Sequence, residues 1–183
     1  MSLDGFIAGP GSDMAWLARH AAPRTENPAT ARLMRRTGAL LIGRRTFGGD
    51  DPLKGTEHEG EPYGGGWTGP QFVLTHRVPK DPVPGITFVT GLREGVAAAR
   101  QAADDADIDG GGKCVGVLGA FVAAQCIEER LLDEVYVFVA PILLGGGVRM
   151  FDRPHGPYVH LEPMELTQDT GSELVAAHYR VVY

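Results

Sequence analysis

Apolar positions along the chain fall into short, separate runs, most of them closed by glycine or proline. Ala39-Leu40-Leu41-Ile42 is continuously apolar and stops at Gly43, the pattern of a parallel strand covered on both faces. Phe72-Val73-Leu74, the stretch from Ile86 to Val89, Cys114 to Leu118 and the branched run Val135 to Ala140 read as further strands. Helical signals lie between them. Asn27-Pro28 sets a capping side chain ahead of a proline at the first helical position and predicts a helix to about Thr37, stopped at Gly38. A short helix is predicted from Arg44 to Phe47, an alanine-rich one from Leu92 to Ala103, and a third from Gly119 through Arg130. Two late strands, 159–167 and 174–182, are joined by the turn-forming cluster Asp169-Thr170-Gly171-Ser172.

Alternating strands and helices followed by a hairpin predict an α/β fold of three α-β-α layers. Its mixed sheet is mostly parallel and ends in a C-terminal antiparallel hairpin. Ligands of such sheets bind outside the carboxyl ends of the strands, which points to the residues after Ile42, Leu74 and Leu118. The region 48–69, with Pro52, Gly55, Gly60, Pro62 and Gly64-Gly65-Gly66, predicts a long loop beside a site, with Tyr63 and Trp67 able to close over a bound ring. The flanks of this loop are each too small to fold alone, so residues 1–183 are expected to form one domain.

Composition narrows the partners. The net charge is −6 and no segment concentrates Lys and Arg, which argues against nucleic acid. No apolar run approaches the ~18 residues of a membrane span, and Met1 to Phe6 lacks the basic start of a signal peptide. A cytoplasmic location is therefore expected. Cys114 and Cys126 lie in apolar stretches, as buried free thiols do, and no Cys/His group has zinc spacing, so no metal is expected.

Each strand end carries groups suited to phosphate. Gly43-Arg44-Arg45-Thr46 combines a glycine, a helix start, two guanidiniums and a hydroxyl. Thr75-His76-Arg77 offers a cation of the kind that selects the 2′-phosphate of NADPH. Gly119-Ala120-Phe121-Val122 passes from strand directly into helix, where small residues admit a pyrophosphate. Gly110-Gly111-Gly112 lies before its strand, at the wrong end. Gly145-Gly146-Gly147 either lines the cleft or only turns the chain. No GxGxxG fingerprint occurs, which argues against an ordinary Rossmann domain.

Several segments together resemble a known superfamily. Ser2-Leu3-Asp4-Gly5-Phe6-Ile7-Ala8 is similar to the SLDGxIA opening of dihydrofolate-reductase-like proteins, and Gly43-Arg44-Arg45-Thr46 to their GRxT motif. Leu131-Leu132-Asp133-Glu134-Val135, Pro141-Ile142-Leu143-Leu144-Gly145 and Phe151 resemble the later signature of the riboflavin-biosynthesis reductase C-terminal-domain group. The resemblance implies NADPH, hydride transfer to a small nitrogen heterocycle of pterin, folate or ribosylaminopyrimidine type, and a homodimer. By matching motif it implies that Gly43, Arg44, Thr46, Thr75, His76, Arg77, Gly119, Ala120, Phe121 and Val122 touch cofactor. It places Asp4 where substrate and nicotinamide meet, as a candidate proton donor or as a brace of the loop. Trp16 and Trp67 are candidates for the substrate side. Asp133 and Glu134 are expected to be structural.

The sequence departs from the pattern at Val117, where riboflavin reductases carry glutamate, and at Leu118, which replaces a glycine. These departures leave the substrate class open. They keep two alternatives in view, a non-catalytic protein that holds a nucleotide or small ligand, and a reductase using another cofactor such as a deazaflavin. Relatives also carry an apolar strand ahead of SLDG. Here Met1 directly precedes Ser2, so either the natural beginning is missing or the central sheet is short by a strand.

Overall fold

The computed structural model describes residues 1–20, 28–49, 60–81, 83–107, 110–168 and 173–183. The expected cap Asn27, the middle of the long loop and the turn 169–172 lie outside them.

The fold is α/β, as expected. Its centre is strand β2, Thr37–Gly43, every residue of which is buried. Helix α2, Pro28–Arg36, runs straight into it, and the Thr37 hydroxyl donates to the Leu33 carbonyl at 2.8 Å to close the last helical turn. Gly38 is therefore not a helix stop. It sits inside the strand, where a Cβ would come within 2.8 Å of the Ala103 Cα, so the expectation at this residue is corrected from a cap to a packing contact.

Strands β3, Gln71–Leu74, β4, Ile86–Val89, and β5, Cys114–Leu118, complete a four-stranded parallel sheet in the order β4-β3-β2-β5. Leu41 lies opposite Phe72 on one side and Val117 on the other. The alternation along β2 divides the core in two. Ala39 and Leu41 face helix α4, Leu92–Asp105, and helix α5, Ala120–Glu128, meeting Val96, Ala99, Val122 and Cys126. Leu40 and Ile42 face the opposite layer with Val73 and Trp67, and Met34, Tyr63 and Phe47 pack around them.

The second part is antiparallel. Strands β6, Glu134–Val139, β8, His160–Thr167, and β9, Val175–Val182, form a sheet in the order β6-β9-β8. Parallel and antiparallel sheets share no ladder among the described residues. β5 ends the first and β6 ends the second.

Three elements have no clear periodic signal in the sequence: the short helix α1, Ala15–His20, and strands β1, Phe6–Ala8, and β7, Val148–Arg149. The two strands pair antiparallel, with Phe6 opposite Arg149. The Arg149 guanidinium lies 4.5 Å from the centre of the Phe6 ring. Gly147, at φ 125°, passes so close to the Ala8 carbonyl that a Cβ would overlap it.

Cys114 and Cys126 are free thiols, Cys126 buried. No described helix is long and apolar enough to cross a membrane. Because Leu41 is fully buried between two strands and two helices, Leu41→Ala is expected to cost about 2–5 kcal/mol, read as a lower urea midpoint with an unchanged slope.

Candidate functional site

The parallel strands end along one large cleft of roughly 2690 Å³. Gly43 closes β2 there, and helix α3, Arg44–Phe47, follows at once. Gly119 closes β5 and opens α5 with φ 108° and no side-chain cap. A Cβ on Gly119 would stand 2.4 Å from the Thr46 hydroxyl oxygen, and its next nearest atoms include the Gly43 nitrogen at 3.8 Å. The turns after Ile42 and Leu118 are thus in contact, and the first N–H groups of α5 have no intrahelical partner. A side chain at Gly119 would meet both Thr46 and a backbone angle that disfavours L-residues. Substitution there therefore perturbs packing as well as any ligand.

The third strand end is shaped by Thr75. Its hydroxyl accepts from the Arg77 N–H at 3.1 Å and donates to the Arg77 carbonyl at 3.2 Å, and its own N–H donates to the Val89 carbonyl at 2.9 Å. Buried and engaged in this way, Thr75 holds the turn that leaves His76 and Arg77 exposed on the cleft wall. Arg44 and Arg45 are exposed on the same wall.

All ten residues expected at a cofactor line this one cleft, but not all by their side chains. Val122 is 1% exposed and fills the space beside Gly43, where a Cβ would meet its methyl group at 3.1 Å. It can offer a backbone N–H only. Phe121, 67% exposed, stands at the rim.

The three substrate-side candidates are not brought to this cleft. Trp67 is buried at the opposite end of β2, its indole N–H donating to the Thr37 carbonyl at 2.8 Å, with Tyr63 packed edge-on at 6.3 Å between ring centres. Trp67 is thus held in the core away from the cleft, whereas the half-buried Tyr63 lines it. Trp16 is buried too, and its N–H finds no acceptor among the described residues.

Asp4 is a brace. Its carboxylate accepts from the Ser2 hydroxyl at 2.6 Å, from the Gly145 N–H at 2.8 Å and from the Leu144 N–H at 3.1 Å. The Ser2 hydroxyl, helped by those two backbone groups, holds the carboxyl down at about 2. Of the two roles expected for Asp4, proton donor or brace of the loop, these bonds favour the brace. Gly145, at φ 71°, turns the chain to meet the carboxylate.

Asp133 and Glu134, expected to be structural, are both engaged in ion pairs. Asp133 pairs with Arg100 at 3.0 Å, and Glu134 pairs with Arg36 at 3.2 Å and with the buried His178 at 2.8 Å. His178 carried no signal in the sequence, since it lies 44 residues from its partner. No group of three or more metal-ligating side chains gathers among the described residues.

The chain matches the RibD C-terminal domain family over residues 1–104 and 110–175. It belongs to that family. No curated protein is significantly similar in sequence. Among solved structures, a protein of Shewanella sp. PV-4 provisionally named a riboflavin biosynthesis protein is 24% identical. The match spans 100% of this chain and 96% of that one, with a TM-score of 0.70. The diaminohydroxyphosphoribosylaminopyrimidine deaminase/5-amino-6-(5-phosphoribosylamino)uracil reductase of Thermotoga maritima is 17% identical over 99% of this chain, with a TM-score of 0.63. Only 54% of that bifunctional protein is covered. A dihydrofolate reductase of Enterococcus faecalis, solved with NADP(H) and RAB-propyl, is 17% identical over 99% of this chain and 90% of that one, with a TM-score of 0.55. The RibD C-terminal domain and dihydrofolate reductase thus share this chain's fold.

In this RibD-type domain the brace has a pH signature. With the Asp4 carboxyl lowered from 3.8 to about 2, its stabilising contribution is complete above the unfolded value and is lost as pH falls through about 2. Asp4→Asn retains one accepting oxygen but turns an amide toward a donor. We expect faster amide exchange at Leu144 and Gly145 in the variant, and a melting-temperature deficit that is largest above pH 4 and shrinks toward pH 2. A deficit of equal size across that range would contradict the assignment.

Proposed function

We propose that the protein is an NADPH-dependent reductase acting on a small nitrogen heterocycle of pterin, folate or ribosylaminopyrimidine type. One observation carries this reading. The turn after β2, the turn after β5 and the basic turn after β3 meet along a single cleft at the carboxyl ends of parallel strands, which is the ligand-binding end of such sheets.

The donor set fits the cofactor. The uncapped N-terminus of α5 presents N–H groups and a partial positive charge to a pyrophosphate. Gly119 leaves the approach open, and the Thr46 hydroxyl stands beside it. Arg77, fixed by the Thr75 turn, is the candidate for a 2′-phosphate, and Arg44 and Arg45 add donors nearby. Bound there, the nicotinamide would supply the hydride. The protein's part is to orient the rings and exclude water, with the proton delivered by a group other than Asp4 or by water.

The binding of Asp4 by Ser2, Leu144 and Gly145 favours one second reading, a domain that retains the nucleotide cleft without turnover. NADPH oxidation measured against dihydrofolate, biopterins and ribosylaminopyrimidines separates the two.

NADPH is expected to bind more tightly than NADH. Arg77→Ala should narrow the preference by roughly 1–3 kcal/mol, measured by titration calorimetry with both cofactors. Equal affinities in the unaltered protein would refute the assignment. We also read the protein as a cytoplasmic two-fold homodimer. Met164, Leu166 and Val175 are exposed on the antiparallel sheet and support a contact there. Light scattering at micromolar concentration should give twice the 19.5 kDa chain mass, and a monomer alone would exclude the dimer.

A further inference from the structure

The antiparallel sheet has two unlike faces. Side chains alternate along each strand, so Val135, Ala177 and Val181 share one face, and all three are buried. On the other face Glu134 lies opposite Arg180, Tyr136 opposite His178 and Phe138 opposite Ala176. His178 and Ala176 are buried there, but Tyr136 and Phe138 are only half-buried.

These two residues belong to neither half of the apolar core around β2. Their rings lie with centres 5.4 Å apart and planes tilted by 53°, and Tyr136 also packs on the His178 imidazole at 5.0 Å. Both line the cleft. An aromatic side chain contributes most when about 150–250 Å² of it is buried. Two adjacent rings left half open present contact area that the fold itself does not use.

Helix α2 is joined to this face by charge. Arg32 and Arg36, one turn apart on the helix, pair with Glu165 at 3.1 Å and Glu134 at 3.2 Å. Both carboxylates belong to the face that carries the rings. Leu33, between the two arginines in the chain, lines the same cleft as the rings. Among the described residues no core cluster joins α2 to this sheet.

The carboxylates of the face are already matched. Glu134 is taken by Arg36 and by His178 at 2.8 Å, Glu165 by Arg32, and Glu162 by Arg180 at 3.7 Å. A ring arriving beside Tyr136 and Phe138 therefore meets aromatic and apolar groups, and no carboxylate of this face is left to pair with an amino group on its edge.

We propose that Tyr136 and Phe138, with Leu33 of α2, hold the flat ring of the substrate and select it by stacking rather than by charge. The inference deepens the reductase reading and rests on it. With the two rings tilted by 53°, a guest lying face-on against one meets the edge of the other, and both arrangements are favourable for aromatic groups. Pterin and lumazine, which differ in an amino group against a carbonyl on the same fused ring, should then bind alike.

The test measures binding of pterin and of lumazine by equilibrium dialysis, with and without NADPH. Phe138→Leu and Tyr136→Leu keep an apolar side chain and remove one ring. Each should weaken both probes by about three- to tenfold, the worth of one aromatic pair, with NADPH affinity unchanged. Tyr136→Phe should restore what Tyr136→Leu loses. In the unaltered protein, saturating pterin should shift the ring-proton resonances of Tyr136 and Phe138, a readout that does not depend on any variant folding. Unshifted rings would overturn the proposal, as would folded Leu variants of full affinity or a loss of NADPH binding in step with the probes. So would a pterin preference of about tenfold or more, the worth of a charged hydrogen bond. Ring-dependent binding of the probes without NADPH oxidation by any heterocycle keeps the subsite and removes the reductase reading. NADPH oxidation at a ring whose affinity neither Leu variant changes does the reverse.

Discussion

Because every residue of β2 from Thr37 to Gly43 is buried, this strand can meet polar partners only at its two ends. That constraint arranges much of the molecule. Its odd positions carry one half of the core and its even positions the other. At its beginning, the Thr37 hydroxyl turns back to α2 and its carbonyl is taken by Trp67. At its end, Gly43 admits Val122 from one side while the chain turns into α3. The large cleft opens at that end, beside Ile42 and Gly43.

The antiparallel sheet is attached differently. No ladder joins it to the parallel sheet among the described residues. The contacts that bridge them include the ion pairs Arg36–Glu134 and Arg32–Glu165 from α2 and Arg100–Asp133 from α4. Exposed pairs of this kind are worth about 0–1 kcal/mol each, so they align the two parts more than they hold them. The Asp4 brace works at a different place, fixing the opening segment to the loop 141–145 through one carboxylate and two backbone N–H donors.

Much of this was legible in the sequence. The runs around Leu41, Val73, Phe88 and Val117 became strands within a few residues of their expected bounds, and the three strand ends named as ligand-binding places do line one cleft. These features are local: a continuous apolar run flanked by glycine has few other ways to be buried. The sequence was least informative for side chains whose partners are distant. Trp67 lies 30 residues from the carbonyl it binds, and Asp4 lies 141 residues from Gly145. The aromatic character of Trp67 and the motif position of Asp4 suggested contact with substrate, but the energy of each group is spent on a backbone partner that no local pattern reveals. His178 and its pair with Glu134 escaped notice for the same reason.

By itself the sequence determined the order of strands and helices, the α/β class, the glycine-closed strand ends and the family, because these follow from periodicity, capping and short motifs that act between near neighbours. The tertiary structure decided which polar groups remain available. It tied up Asp4, turned Thr75 inward to hold the turn that exposes Arg77, sank Trp67 into the core and left β5 and β6 without a common ladder among the described residues. A hydrogen bond or a free strand edge is settled by what lies across it in space, and that is fixed only when segments far apart in the chain have come together.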